Sequence, residues 1–166
     1  MKVKDVMTEQ VQCCTPEMNL AAVTELMLDN DCGMLPVVEG GKLAGVITDH
    51  DICIAFSTRN CPAGDVFVRE VQTAEVETCG PESDVYRAME VMRRAKVRRL
   101  PVVNEAGVLL GILSLNEIAL RVDLTHGGGL SYDQVLDTIK IKAIDEHRHS
   151  TRAVPAEGKD ALAAAS

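Results

Sequence analysis

Residues 35–48 read LPVVEGGKLAGVIT, and residues 100–114 read LPVVNEAGVLLGILS. Each is an apolar run of strand length, a glycine-containing turn, and a second apolar run ending on a hydroxyl residue, which is the pattern of a β-hairpin. A hairpin written twice calls for a search for a longer repeat. Working outward at an offset of 65, VKDVMT at 3–8 faces VREVQT at 68–73, Cys14 faces Cys79, Pro16-Glu17 faces Pro81-Glu82, and Met27 faces Met92. Residues 3–38 and 68–103 share 13 identities in 36 positions. One residue inserted in the second hairpin moves the offset to 66, so Gly45-Val46-Ile47-Thr48 faces Gly111-Ile112-Leu113-Ser114. The chain is a duplication.

Both copies predict the same elements. A short strand over 11–15, and over 76–79, ends at a proline turn. A helix follows, with Leu20, Val23 and Met27 in one copy and Val85, Ala88, Met89 and Met92 in the other at helical spacing. The hairpin comes next, and a second helix closes each unit from near Asp49 and near Leu115. A β-α-β-β-α unit of this size cannot cover both faces of its own sheet, so the two copies are expected to pack on each other about a pseudo-twofold axis in one α/β fold. The expected boundaries are 1–66 for the first repeat and 67–124 for the second. Residues 125–166 are expected to hold a hinge at Gly127, Gly128 and Gly129, a C-terminal helix and a polar tail. Ser131 and Gln134 can cap that helix, and Tyr132, Val135, Leu136, Ile139 and Ala143 give it an apolar stripe.

Composition narrows the function. The 166 residues are 46% hydrophobic and 25% charged, which excludes disorder over the whole chain. Only Phe56, Phe67, Tyr86 and Tyr132 are aromatic, so platforms for stacking bases are scarce. A formal charge of −8 also argues against a nucleic-acid backbone as partner. Six cysteines are too few for a disulfide scaffold and form no C-x-x-C pair. The N-terminus has no apolar signal stretch, and the longest apolar or glycine run, 106–113, is too short to cross a membrane. The expectation is a cytoplasmic protein with reduced thiols and no membrane partner.

The repeated order of a hydrophobic-x-Thr leader, a strand ending at proline, a helix, LPVV and then G-h-h-[ST]-x-x-[acid] resembles the CBS domain, a module found in tandem pairs. The resemblance covers about three quarters of the chain. It implies a regulatory module without catalytic residues, whose clefts bind adenine nucleotides or related adenosyl ligands and which commonly forms a homodimer acting on some regulated protein. No obligatory cofactor is implied.

Within that resemblance Gly45-Val46-Ile47-Thr48-Asp49-His50-Asp51 matches the ribose-phosphate motif. A threonine hydroxyl and free N–H groups at a helix start suit a phosphate, and a carboxylate one turn later can accept from a ribose diol. Thr48 and Asp51 are the leading candidates. In the second copy Ser114 is followed by Glu117, whose extra methylene displaces the carboxylate, so this is the weaker site. Both pairs also read as helix caps: Ser114-x-x-Glu117 is a capping box by sequence, and Thr48-x-x-Asp51 resembles one.

The run Arg93-Arg94-Ala95-Lys96-Val97-Arg98-Arg99 is basic within an acidic chain. A helix C-terminus accounts for its first half. Arg98 and Arg99 stand where the family places a phosphate contact, and are expected to neutralise the phosphates of a ligand whose ribose is held by Asp51. Adenine is expected against Thr73, Ala74 and Val97, with Thr8 and Cys32 at the weaker site. No metal site is expected: Asp49-His50-Asp51 and His147-Arg148-His149 lack the ligand count. The rival reading is a ligand-free interaction scaffold with a redox or metal response through its cysteines.

Overall fold

The computed structural model describes residues 1–122. The expected hinge at Gly127–Gly129, the C-terminal helix and the tail lie outside the described residues. Within them each copy supplies a helix, a hairpin and a second helix: α1 (Leu20–Asp29), β1 (Met34–Glu39), β2 (Lys42–Thr48) and α2 (Asp49–Thr58), then α3 (Val85–Ala95), β3 (Arg99–Val103), β4 (Leu109–Ser114) and α4 (Leu115–Val122). This is the mixed α/β architecture expected.

Local chemistry sets the ends of these elements. Asn19 caps α1 by accepting from the Ala22 N–H at 2.9 Å, and Asp84 caps α3 by accepting from the Tyr86 N–H at 2.8 Å. Lys96 ends α3 in the left-handed region at φ 58°. Gly40 and Gly41 close the first hairpin at φ +57° and +80°, values that match a two-residue turn with both central residues left-handed. In the second hairpin the Asn104 carboxamide oxygen accepts from the Ala106 and Val108 N–H groups, absorbing the inserted residue. Each hairpin has a register shift, between Val37 and Val38 and between Val102 and Val103.

The short strands expected over 11–15 and 76–79 do not form. Each segment contributes one residue, Cys14 against Val37 and Cys79 against Val102, in an isolated parallel bridge. Cys14 donates to the Pro36 carbonyl at 3.0 Å and accepts from Val38 at 2.9 Å, after which Pro16 turns the chain toward α1. A second contact follows from the mid-strand prolines. Pro36 lies opposite Val46, which directs its own N–H and C=O to the far side, where both are bonded to Thr73 at 3.0 and 2.9 Å. The missing proline N–H therefore leaves the ladder intact.

The segment leading into each repeat packs on the other repeat. Val3 and Val6 lie in the core with Val85, Met92, Leu100 and Ile118, while Val66 and Val68 lie in the core with Leu20, Val37, Ile47 and Ile52. The backbone bonds match pair by pair. Val3 donates to Ser83 as Val68 does to Met18, Lys4 to Pro81 as Arg69 to Pro16, and Thr8 exchanges bonds with Ile112 as Thr73 does with Val46. Lys2 and Lys4 reach Glu82 at 2.5 and 2.6 Å, and Arg69 reaches Glu17 in the same place. This reciprocity is the structural form of the pseudo-twofold relation.

Candidate functional site

The close leader contacts explain the glycine that opens each G-h-h-[ST] motif. A Cβ at Gly45 would stand 2.6 Å from the Thr73 carbonyl oxygen, and one at Gly111 would stand 2.3 Å from that of Thr8. Only glycine admits a backbone this near. The leader is thereby held beside β2, two residues from the hydroxyl that starts the next helix.

Thr48 is the cap of α2, and its bonds with Asp51 run both ways. The Asp51 N–H donates to Thr48 Oγ1 at 3.2 Å, while Thr48 N–H and Oγ1 both donate to Asp51 Oδ2, at 2.9 and 2.7 Å. Oδ2 thus has both acceptor positions filled, and Oδ1 accepts nothing from the described residues. The result is a half-buried carboxylate of fixed orientation with one free oxygen. Thr73 faces Val46, two residues before Thr48, and Ala74 lies against Gly45. Met34 is paired with Thr48, and the Gly33 carbonyl accepts the Asp49 N–H at 3.2 Å, which brings Cys32 to the same end.

The equivalent end of the second repeat is built otherwise. Ser114 Oγ accepts the Glu117 N–H at 3.1 Å, and no bond returns from Ser114 to the Glu117 carboxylate among the described residues. The sequence pattern favoured a complete capping box at Ser114 and Glu117. The structure completes the one at Thr48 and Asp51, because the shorter aspartate reaches back to its own cap. Thr8 joins Ser114 through Ile112, Arg99 is paired with Ser114, and the Arg98 carbonyl accepts the Leu115 N–H at 3.0 Å.

These bonds sort the candidates into two groups. Thr48, Asp51, Thr73, Ala74 and Cys32 share one end, and Ser114, Glu117, Thr8, Val97, Arg98 and Arg99 share the other. The two ends diverge. Lys42 and Val108 form an antiparallel bridge at the start of β2 and β4, so the strands run apart from that contact. Six residues at roughly 3.3 Å each put Thr48 and Ser114 about 20 Å from it in opposite directions. Arg98 and Arg99, expected beside the phosphates of a ribose on Asp51, and Val97, expected beside its base, belong by register to the far end, while Cys32, expected at the weaker site, belongs to the Thr48 end. The repeat offset carried this sorting: Cys32 and Gly33 stand to Thr48 as Val97 and Arg98 stand to Ser114.

Three of the thiols are quiet. Burial pushes the Cys14 and Cys79 thiols up to about 11, and with them Cys13 in direction, so they are protonated at neutral pH and poor nucleophiles. Among the described residues no three His, Cys, Asp or Glu side chains converge on a metal position, and no helix is long and apolar enough to cross a membrane. Gln72 Oε1, next to Thr73, is buried without a hydrogen-bond partner among the described residues, a feature no sequence pattern announces.

Comparison with known proteins agrees with this architecture. The CBS domain model matches twice, over residues 3–58 and 68–123. The CBS domain-containing protein YhcV of Bacillus subtilis is 35% identical over 119 residues, a match that spans 72% of this chain and 84% of that protein. An inosine-5'-monophosphate dehydrogenase of Korarchaeum cryptofilum is 31% identical over 119 residues, spanning 72% of this chain and 23% of the enzyme. Among solved structures, CBSX2 in complex with AMP superposes with a TM-score of 0.64 at 24% identity, covering 74% of this chain and 96% of that one. With two matched repeats, exchanged leaders and the paired hairpins between them, the chain belongs to the CBS domain family as a tandem pair.

Proposed function

We propose that this chain is a regulatory module that binds an adenosyl ligand, an adenine nucleotide or a close relative of one, and is not itself an enzyme. The reading rests on one observation, the Asp51 carboxylate whose Oδ2 is saturated by Thr48 while Oδ1 accepts no bond from the described residues. An oxygen with two lone pairs can accept from both hydroxyls of a ribose diol. Thr73, Ala74 and Cys32 then border the base, which is held between small side chains without a stacking ring. Ser114 and Glu117, with Thr8, Val97, Arg98 and Arg99, form the second and weaker cleft. The AMP complex of CBSX2 supports the ligand class. Binding signals only if the ligand prefers one arrangement of the molecule over another. In this reading the responsive parts are a contact between two copies and the segment beyond Val122.

Titration calorimetry of the reduced, metal-free whole chain with adenosine, AMP, ADP, ATP and S-adenosylmethionine tests it. Asp51→Asn is the diagnostic variant. The cap requires an oxygen at the Oδ2 position, so the amide NH2 is turned toward the ligand, where it cannot accept from a diol. Heat that disappears in Asp51→Asn is the expected result. Heat that survives it overturns the site, and no heat with any adenosyl ligand overturns the function in favour of the cysteine scaffold.

A further inference from the structure

The two ends of the pair carry opposite charge at equivalent positions. At the Thr48 end, residues 31–34, 48–51 and 72–75 contain four carboxylates, Asp31, Asp49, Asp51 and Glu75, and no lysine or arginine. The equivalent residues at the Ser114 end, 96–99, 114–117 and 7–10, contain Lys96, Arg98 and Arg99 against Glu117 and Glu9. The same twelve positions thus sum to −4 and +1. Asp49 is the sharpest difference. A Cβ at Gly33 would stand 2.8 Å from Asp49 Oδ2, so this carboxylate occupies the space where the Arg98 side chain leaves the backbone in the other copy. Asp49 itself is matched there by the buried apolar Leu115.

We propose that the Thr48 end selects against phosphate, taking adenosyl ligands that are uncharged or cationic at the 5′ position, with Asp49 as the residue that sets the preference. This rests on the reading of Asp51 as the ribose-binding carboxylate. A phosphate on that ribose meets a field of like charge with no lysine or arginine among these positions, and because Asp31, Asp49 and Glu75 are exposed the repulsion is strongest at low ionic strength. Nucleoside phosphates are left to the Ser114 end.

The test is calorimetry of the whole chain at low salt with adenosine, AMP and ADP. At the site that Asp51→Asn removes, affinity is expected to fall in that order, by about five- to tenfold per step. Asp49→Asn retains an oxygen for the His50 N–H, which Asp49 Oδ1 accepts at 2.7 Å. It is expected to raise the ratio of AMP to adenosine affinity by about five- to tenfold, and Asp49→Lys by more. Thermal melts of the free variants verify that they are folded. AMP binding as tightly as adenosine at that site, or a ratio that neither Asp49 substitution moves, overturns the proposal and leaves the ribose site standing. No heat with any of the three, nor with S-adenosylmethionine or ATP, overturns both.

Discussion

The two repeats share a backbone and differ at the turn where strand passes into helix. In the first, Asp51 folds back on Thr48 and the carboxylate is fixed by two donors. In the second, one more methylene leaves Glu117 outside that cap, and Ser114 Oγ makes a single bond among the described residues. The paired arginines stand at the start of β3 in the second copy, where the first has Gly33 and Met34 at the start of β1. Duplication preserved the architecture of leaders, hairpins and cores, while the residues at the two cleft ends drifted to different chemistry. A hairpin tolerates any side chain that respects its alternation, whereas a cleft end is decided by the length and charge of a few groups.

The largest effect is expected where the comparison is most nearly symmetric. Gly45→Ala and Gly111→Ala each drive a methyl into a backbone carbonyl that cannot rotate away, and each is expected to cost about 2–4 kcal/mol in urea denaturation. Gly111→Ala should cost more, since its contact is 2.3 Å against 2.6 Å. Gly33→Ala meets only the end of the Asp49 side chain and should be milder. Equal stability of all three with wild type would mean that the leaders are not held as described.

The exchanged leaders come next. Val3 and Val68 are equivalent and fully buried, one in each core. Truncation of either to alanine is expected to cost about 2 kcal/mol. Because each leader belongs covalently to one repeat and packs in the other, both variants should keep a single unfolding transition by circular dichroism. Two separated transitions would break the idea that the cores are coupled.

The caps should separate the repeats. Thr48→Ala removes the acceptor for the Asp51 N–H and a donor to its carboxylate, at an expected cost of about 1–2 kcal/mol. Ser114→Ala removes one bond and should cost about 1 kcal/mol or less. Chemical denaturation of the two variants side by side measures the difference. A larger loss at Ser114 would reverse the ranking of the two ends.

The smallest effect is electrostatic. Hydrogen bonds from Lys2 and Lys4 lower the Glu82 carboxyl to about 2 in the folded chain, from an ordinary value of 4.5. A carboxylate depressed on folding contributes stability that is complete above the unfolded value and is lost as pH falls from 4.5 toward 2. The pair is exposed, so the effect is small and screened by salt. Glu82→Gln should therefore flatten the acid limb of the Tm profile relative to wild type. A profile identical to wild type between pH 4.5 and 2 would show that the lysine clamp contributes nothing to stability.

Much of this was legible in the sequence. The offset predicted both hairpins and the starts of α2 and α4, and the helical spacing named Leu20, Val23, Met27, Val85, Ala88, Met89 and Met92, all buried in the structure. Residues 11–15 and 76–79 misled, because a short run with β-branched and cysteine residues next to a proline turn reads as a strand although one residue alone meets its neighbour. The cap ranking also misled, since a sequence pattern does not measure how far a carboxylate reaches. The leader exchange was invisible for a different reason. Periodicity reports which face of an element is apolar, and says nothing of which core receives it.

That exchange has a further consequence for how such a chain is assembled. A protein with one repeat would hold its leader out for a second copy, and two copies would satisfy each other through the contacts that Val3 with Ser83 and Val68 with Met18 make here. Tandem duplication turns that bimolecular association into an intramolecular one, with an effective concentration on the order of millimolar for a short connection. Pairing then no longer depends on how much protein the cell makes. It also releases the two halves from identity, since a symmetric dimer must mutate both clefts at once and a covalent pair can change one.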